Sequence, residues 1–275
     1  MKAFHYILLL LLTSTVSEAQ NTSDMLNLPY GVEKQQTLDL FLPETYNKET
    51  SVLIMLHGGA WSIGGKEYTD KTSKDLRERG FIVANVDYRY VSESVNYKDL
   101  LKDIDDAFNY VSDYGKKMNF STGGYHLAGI SAGAHLALLY GYTTTRNVKS
   151  VSALCAPSKF DDSKTFAHIQ KLGLVKIISQ LADANYTAAT ANTTEFAAIS
   201  PFTMIKSLPT LLVHGTKDDL VDYQQSVNLY NQLQKKKVKS RLITMEGKGH
   251  DVGMNQPDSE QKVLTEITNW INENK

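Results

Sequence analysis

The sequence predicts an α/β architecture: a mostly parallel central sheet, helices on both of its faces, and a small helical insertion. Three observations carry that prediction. Short apolar runs rich in β-branched residues alternate with segments of helical period along nearly the whole chain. Glycine-bearing turns follow four of those runs, at His57-Gly58-Gly59, Ser131-Ala132-Gly133, His214-Gly215 and Gly247-Lys248-Gly249. No internal repeat or low-complexity linker divides the 275 residues, so one domain with one sizeable core is expected.

The elements follow in order. The N-terminus reads MKAFHYILLLLLTSTVSEAQ, with Lys2 as a basic start, an apolar run at 7–12 and a small-x-small site at Ser17-Glu18-Ala19. This pattern predicts a secretory signal over residues 1–19. The run is shorter than the roughly 20 residues that span a bilayer, so residues 20–275 are expected to be exported without a membrane anchor. Strands are predicted at 38–42 and 52–56, then a helix at 68–79 and a strand at 81–86. The helix at 97–117 carries Leu100, Leu101, Ile104, Ala107, Phe108 and Val111 at three- and four-residue spacings. A strand at 125–128 and a helix at 133–140 follow, then a strand at 151–154. The segment 157–205 departs from the alternation and is too long for a plain connection. It reads as a small cap, with a helix over 165–181 and a polar stretch at 188–194. The last units are a strand at 210–213, a helix at 223–236, a strand at 241–245 and a helix at 259–272.

Composition excludes several function classes. Twenty-nine basic and 30 acidic residues give a net charge of −1, which offers no nucleic-acid surface. The Lys235-Lys236-Lys237 run sits at a predicted helix end, where cations complement the helix dipole. Cys155 is the single cysteine, so no intrachain disulfide forms, and its apolar neighbours mark it as a buried thiol. No H-E-x-x-H motif or Cys/His cluster is present, and no metal or other cofactor is expected. Four N-x-S/T sequons, at Asn21, Asn119, Asn185 and Asn192, would matter only in a glycosylating host.

The motifs that carry chemistry lie just after strands. Gly129-Ile130-Ser131-Ala132-Gly133 joins a strand to a helix. Small residues on either side allow a sharp turn that leaves the Ser131 hydroxyl exposed as a nucleophile. A serine also needs a base and a site for the developing oxyanion. His57-Gly58-Gly59-Ala60-Trp61 follows the strand at 52–56, and its glycines allow successive N–H groups to converge. Gly59, Ala60 and Ala132 are the candidate oxyanion donors, and His57 is read as a brace for the turn. The acid and base should follow in the order serine, acid, histidine. Asp218 lies after the strand at 210–213 and His250 after the strand at 241–245. Asp218 is preferred over its neighbour Asp219, and Asp251 is read as a loop carboxylate. His135, four residues after Ser131, is read as a packed helix histidine, and His214 as a loop brace. His126 and His168 have no partner visible in sequence. Trp61, Tyr88 and Tyr90 are candidate platforms for a substrate ring.

Taken together, HGGAW, GISAGAH, HGTKDD and GKGH resemble the α/β-hydrolase fold, in the esterase branch with an HGGxW turn and a GxSAG elbow. The likeness runs from about residue 38 to residue 270. It implies Ser131 as nucleophile, Asp218 as orienting acid and His250 as general base. Many relatives carry a third glycine where this chain has Ala60. Within the branch, carboxylesterases, carbohydrate and feruloyl esterases, arylformamidases and prenylcysteine methylesterases look alike. With the predicted signal, the resemblance implies a secreted esterase, with a small-molecule or carbohydrate ester such as acylated plant polysaccharide as substrate. The insertion is short for a lid that must bury a long acyl chain and its 188–194 stretch is polar, so short-chain esters are expected. An arylformamidase-like amide hydrolase is the alternative. A binding module that has lost catalysis is a third reading, disfavoured because all three triad candidates are present.

Overall fold

A computed structural model describes residues 24–275 of the protein, so the predicted signal lies outside the described residues. Eight strands form one sheet: β1 (Met25–Pro29), β2 (Thr37–Phe41), β3 (Val52–Leu56), β4 (Ile82–Val86), β5 (Tyr125–Ile130), β6 (Val148–Leu154), β7 (Thr210–Gly215) and β8 (Ser240–Met245). Their spatial order is β1-β2-β4-β3-β5-β6-β7-β8. The β1–β2 and β2–β4 pairs are antiparallel, and every other pair is parallel. The helices are α1 (Asp70–Glu78), α2 (Tyr97–Met118), α3 (Ala132–Thr143), α4 (Ser163–Lys171), α5 (Val175–Ala182), α6 (Thr194–Ala198), α7 (Gln224–Lys235) and α8 (Pro257–Asn272).

The strand period of two sorts side chains to opposite faces of the sheet. Val52, Ile54 and Leu56 of β3 join the core under α2, α3 and α7. Leu53 and Met55 join the core under α1 and α8. The parallel strands inside the sheet are buried on both faces, which is why they read as continuous apolar runs, whereas the edge strand β8 is only half-buried. Local chemistry fixes the helix ends. Asn96 accepts the Lys98 N–H, and Asp99 reaches back to the Asn96 N–H at 3.0 Å, closing the start of α2.

Two details differ from the sequence reading. The single helix expected at 165–181 is two helices, α4 and α5, parted at Gly173 in the left-handed region (φ 73°). The sequence reading placed no strand at β1. It has no regular alternation, because Asn27 takes a positive φ of 55° and the register with β2 slips there.

The insertion between β6 and β7 holds α4, α5 and α6, and its Phe160, Ile169 and Leu174 line one cavity with the Ser131 turn at the carboxyl end of β5. This is the edge where open α/β sheets place their sites. Asp162 starts α4 by accepting the Thr165 N–H at 2.8 Å. The polar stretch at 188–194 is tied up locally. Thr187 and Thr190 bond each other, and Ala191 is fully buried.

Candidate active site

Ser131 occupies the turn from β5 into α3 with φ 56° and ψ −120°. A non-glycine residue at that backbone conformation is strained and persists only where its surroundings hold it. Here the Ser131 N–H bonds to the Leu154 carbonyl at 2.8 Å, and its carbonyl accepts the His135 N–H at 2.9 Å. The flanking glycines are a packing requirement. A Cβ on Gly133 would lie 2.2 Å from the Leu56 carbonyl oxygen, and one on Gly129 would lie 2.5 Å from the Gly133 backbone. Ala132 is the first residue of α3, so its N–H has no intrahelical acceptor.

The turn after β3 abuts this elbow. A Cβ on Gly58 would lie 3.3 Å from the Ile130 carbonyl oxygen. Gly59, Ala60 and Trp61 all have positive φ (120°, 47° and 58°), and the Ser62 and Ile63 N–H groups fold back onto the Gly59 carbonyl at 3.0 Å. Ala60 therefore adopts the left-handed conformation without being glycine. Beneath the turn, His57 donates from Nδ1 to the Gly58 carbonyl at 2.6 Å. Its ring stacks on Tyr88 with centroids 4.3 Å apart, and the Tyr88 hydroxyl donates to the His57 carbonyl at 2.6 Å. Burial pushes the His57 ring below the ordinary histidine value.

Asp218 and His250 come together although 32 residues separate them. His250 Nδ1 donates to Asp218 Oδ2 at 2.8 Å, and Asp218 Oδ1 accepts the Leu220 and Val221 N–H groups at 2.9 Å each. The Asp218 side chain is fully buried. Burial alone would raise its carboxyl, yet the bonds from His214, His250 and the Val221 N–H hold it well below the usual carboxylate range. Asp219 is exposed, and Asp251 accepts the Gly253 N–H within its own loop. Cys155, at φ 52°, donates its thiol to the His250 carbonyl at 2.8 Å, and burial pushes that thiol up. Cys155, His214 and Asp218 are the one group among the described residues spaced to hold a metal. Their atoms already bond to the His250 loop and to each other.

A cavity of about 590 Å³ opens over these residues, lined by Gly58, Gly59, Ala60, Ser131 and His250. Its other walls are mostly apolar, with Trp61 and Ile63 beside the glycine turn, Phe160, Ile169, Leu172 and Leu174 from the insertion, and Leu220 beyond Asp218. A smaller polar groove of about 270 Å³ adjoins it and shares Thr165, His168, Asp222 and Gln225 with it.

Of the three aromatic platforms expected from sequence, only Trp61 lines the cavity. Its Nε1–H donates to His135 Nδ1 at 3.1 Å. Tyr88 is buried under the glycine turn, and the Tyr90 hydroxyl donates to the Gly64 carbonyl; both are supports for the loop. His135 is fully buried and bridges Trp61 to the Ile199 carbonyl at 2.7 Å, tying α3 to the insertion. Sequence reasoning missed His168. On α4 it donates to the Leu220 carbonyl at 3.0 Å and borders the cavity, but the bond spans 52 residues and no local pattern signals it.

The sheet order, the helices on both faces, the serine elbow and the acid–histidine pair beyond the carboxyl edge define an α/β-hydrolase fold. Within that class the chain belongs to the BD-FAE family, whose profile matches residues 38–233. It is 26% identical over 249 residues to a probable isoprenylcysteine α-carbonyl methylesterase of Oryza sativa subsp. japonica, an alignment covering 83% of this chain and 58% of that relative. The chain thus spans under two thirds of that relative's length. It is 31% identical over 115 residues to the kynurenine formamidase of Salmo salar, covering 42% of this chain and 37% of that one. Among solved structures it superposes on a truncated carbohydrate esterase from gut microbiota with a TM-score of 0.73 and 20% identity, covering 94% and 98% of the two chains. Among the described residues no helix is long and apolar enough to cross a membrane.

Proposed function

We propose that the protein is a secreted serine hydrolase of carboxylic esters. The observation that carries this reading is the 2.8 Å Asp218–His250 bond beside a cavity that Ser131 and His250 both line. His250 donates from Nδ1, so Nε2 is the free ring nitrogen and takes the Ser131 proton. Ser131 Oγ then attacks the ester carbonyl carbon, and the oxyanion is held by the N–H groups of Gly59, Ala60 and Ala132. His250 returns the proton to the leaving alcohol oxygen. A water, deprotonated by the same ring, releases the acid and restores the Ser131 hydroxyl.

The apolar walls favour an ester with an apolar group over Ser131. They argue against a strict short-chain limit, whose ground was a short insertion with a polar stretch at 188–194. Acyl groups on plant polysaccharide remain the favoured substrate class. The adjoining groove supports this: Lys159 and Lys164 are balanced there by Asp162 and Asp222, so it is polar without a net charge and offers hydrogen-bonding groups to a neutral sugar ring. The partial match to a kynurenine formamidase keeps an aryl formamide as the second reading.

The test is turnover on p-nitrophenyl acyl esters, acylated xylo-oligosaccharides, methyl ferulate and N-formylkynurenine, with wild type and Ser131→Ala side by side. Losing the nucleophile should remove several orders of magnitude in rate. Unchanged ester turnover in folded Ser131→Ala overturns the mechanism, and turnover on N-formylkynurenine alone selects the second reading.

A further inference from the structure

Asp218 holds two imidazoles on one oxygen. Besides His250, the ring of His214 places Nε2 3.1 Å from Asp218 Oδ2. His214 is the penultimate residue of β7, and its side chain is fully buried. The same Nε2 lies 2.9 Å from the Val221 carbonyl oxygen, and Nδ1 lies 2.7 Å from the Ser226 hydroxyl on α7. A carboxylate and a backbone carbonyl have no proton to give, so Nε2 must be the protonated nitrogen. The Ser226 hydroxyl, able to donate, completes the ring at Nδ1. We infer that His214 is a positioning residue for the proposed triad, which locks the Asp218 carboxylate in the orientation that His250 requires.

The bond count shows why a second ring is needed. Asp218 Oδ1 accepts two backbone N–H groups, and Oδ2 accepts the His250 N–H and lies 3.1 Å from His214 Nε2, whose one proton is shared between this oxygen and the Val221 carbonyl 2.9 Å away. A buried carboxylate held this way cannot rotate without leaving donors unpaired. Deleting the His214 donor leaves Oδ2 with one partner. The carboxylate then becomes more basic and binds the His250 N–H more strongly, which favours the protonated ring. Nothing else among the described neighbours replaces that donor. The Cys155 thiol is committed to the His250 carbonyl. Tyr223 meets the His214 ring edge-on at 5.7 Å, while its hydroxyl bonds Thr244 on β8. The carboxylates of Asp222 and Asp251 bond backbone N–H groups of their own loops. His168 of α4 braces the same loop through the Leu220 carbonyl, without reaching Asp218.

This inference rests on the Ser131–Asp218–His250 reading, and the experiment separates the two. His214→Leu removes the donor at similar volume, whereas His214→Gln keeps an N–H near the position of Nε2. In His214→Leu, kcat should fall about tenfold with KM within about twofold. The acid limb of kcat/KM should move to higher pH by about half a unit. His214→Gln should recover most of both effects, which a purely structural role for the ring would not produce. A His214→Leu protein with wild-type circular dichroism, kcat and pH profile overturns the inference. If His214→Leu does not fold, long-range ¹H–¹⁵N spectra of the intact wild type decide. A proton on Nε2 of His214 whose shift changes in Asp218→Asn supports the inference, and an unprotonated Nε2 or an unmoved shift overturns it. The spectra need no turnover, so an absence of ester hydrolysis would count against the proposed function alone.

Discussion

Two buried imidazoles should make the protein markedly acid-labile well above the carboxylate range. His135 is fully buried between Trp61 and Phe160, and burial depresses its pKa to about 4 from the ordinary 6.5. His126, 2% exposed on β5, is depressed to about 4 by burial and then by the Lys149 charge. The unfolded chain takes up protons near 6.5 that these folded rings refuse. Their stability is therefore complete above 6.5 and drains away as the pH falls toward 4. At pH 5 each ring costs about 2 kcal/mol, so the pair removes about 4 kcal/mol between pH 8 and pH 5. His57, also lowered by burial, adds to this with the same sign. Asp87, raised by burial, works in the opposite sense nearer the carboxylate range. The assay is urea unfolding followed by tryptophan fluorescence at pH 8, 7, 6 and 5. Replacing His126 with Gln should reduce the pH-dependent loss by about 2 kcal/mol, whatever it does to absolute stability. An unfolding free energy flat from pH 8 to pH 5, or a His126→Gln protein with the full wild-type loss, would refute the reasoning.

The parallel strands were legible because burial on both faces writes an unbroken apolar run, and β3 falls at the predicted residues 52–56. The pairing of Asp218 with His250 was legible for a different reason: both follow strand ends, where parallel sheets gather their loops. What failed was the direction in which particular side chains turn. Tyr88 and Tyr90 follow a strand as Ser131 does, yet their hydroxyls turn inward to backbone carbonyls of the glycine loop. The cap was judged from the composition of 188–194. Its cavity-facing surface is instead supplied by Phe160 and by Ile169, Leu172 and Leu174, whose spacing alone reads equally well as packing within the cap. The second ring on Asp218 left no trace, because a histidine near the end of a strand looks the same whether it braces a loop or a carboxylate.

The Asp218 pair leads to a first mutational test: Asp218→Asn should lose at least a hundredfold in kcat/KM, while exposed Asp219→Asn stays within about threefold. An inactive Asp219→Asn with active Asp218→Asn would exchange their roles. Gly133→Ala should abolish soluble expression or lower Tm steeply, because its Cβ would lie within 2.3 Å of two backbone oxygens, those of Leu56 and His57; a thermal scan matching wild type would contradict the packing at the elbow. The last concerns acyl length. The cavity over Ser131 is walled by Trp61, Ile63, Phe160, Ile169, Leu172 and Leu174, so each added methylene leaves water for apolar contact. Burial of one methylene is worth about 0.8 kcal/mol, or about fourfold in kcat/KM when the group stays buried in the transition state. A p-nitrophenyl series from acetyl to decanoyl should therefore rise through at least hexanoyl and level off when the chain outgrows the cavity. A profile that peaks at acetyl and falls from propionyl onward would show that the acyl group does not enter this cavity, and would place the alcohol there instead.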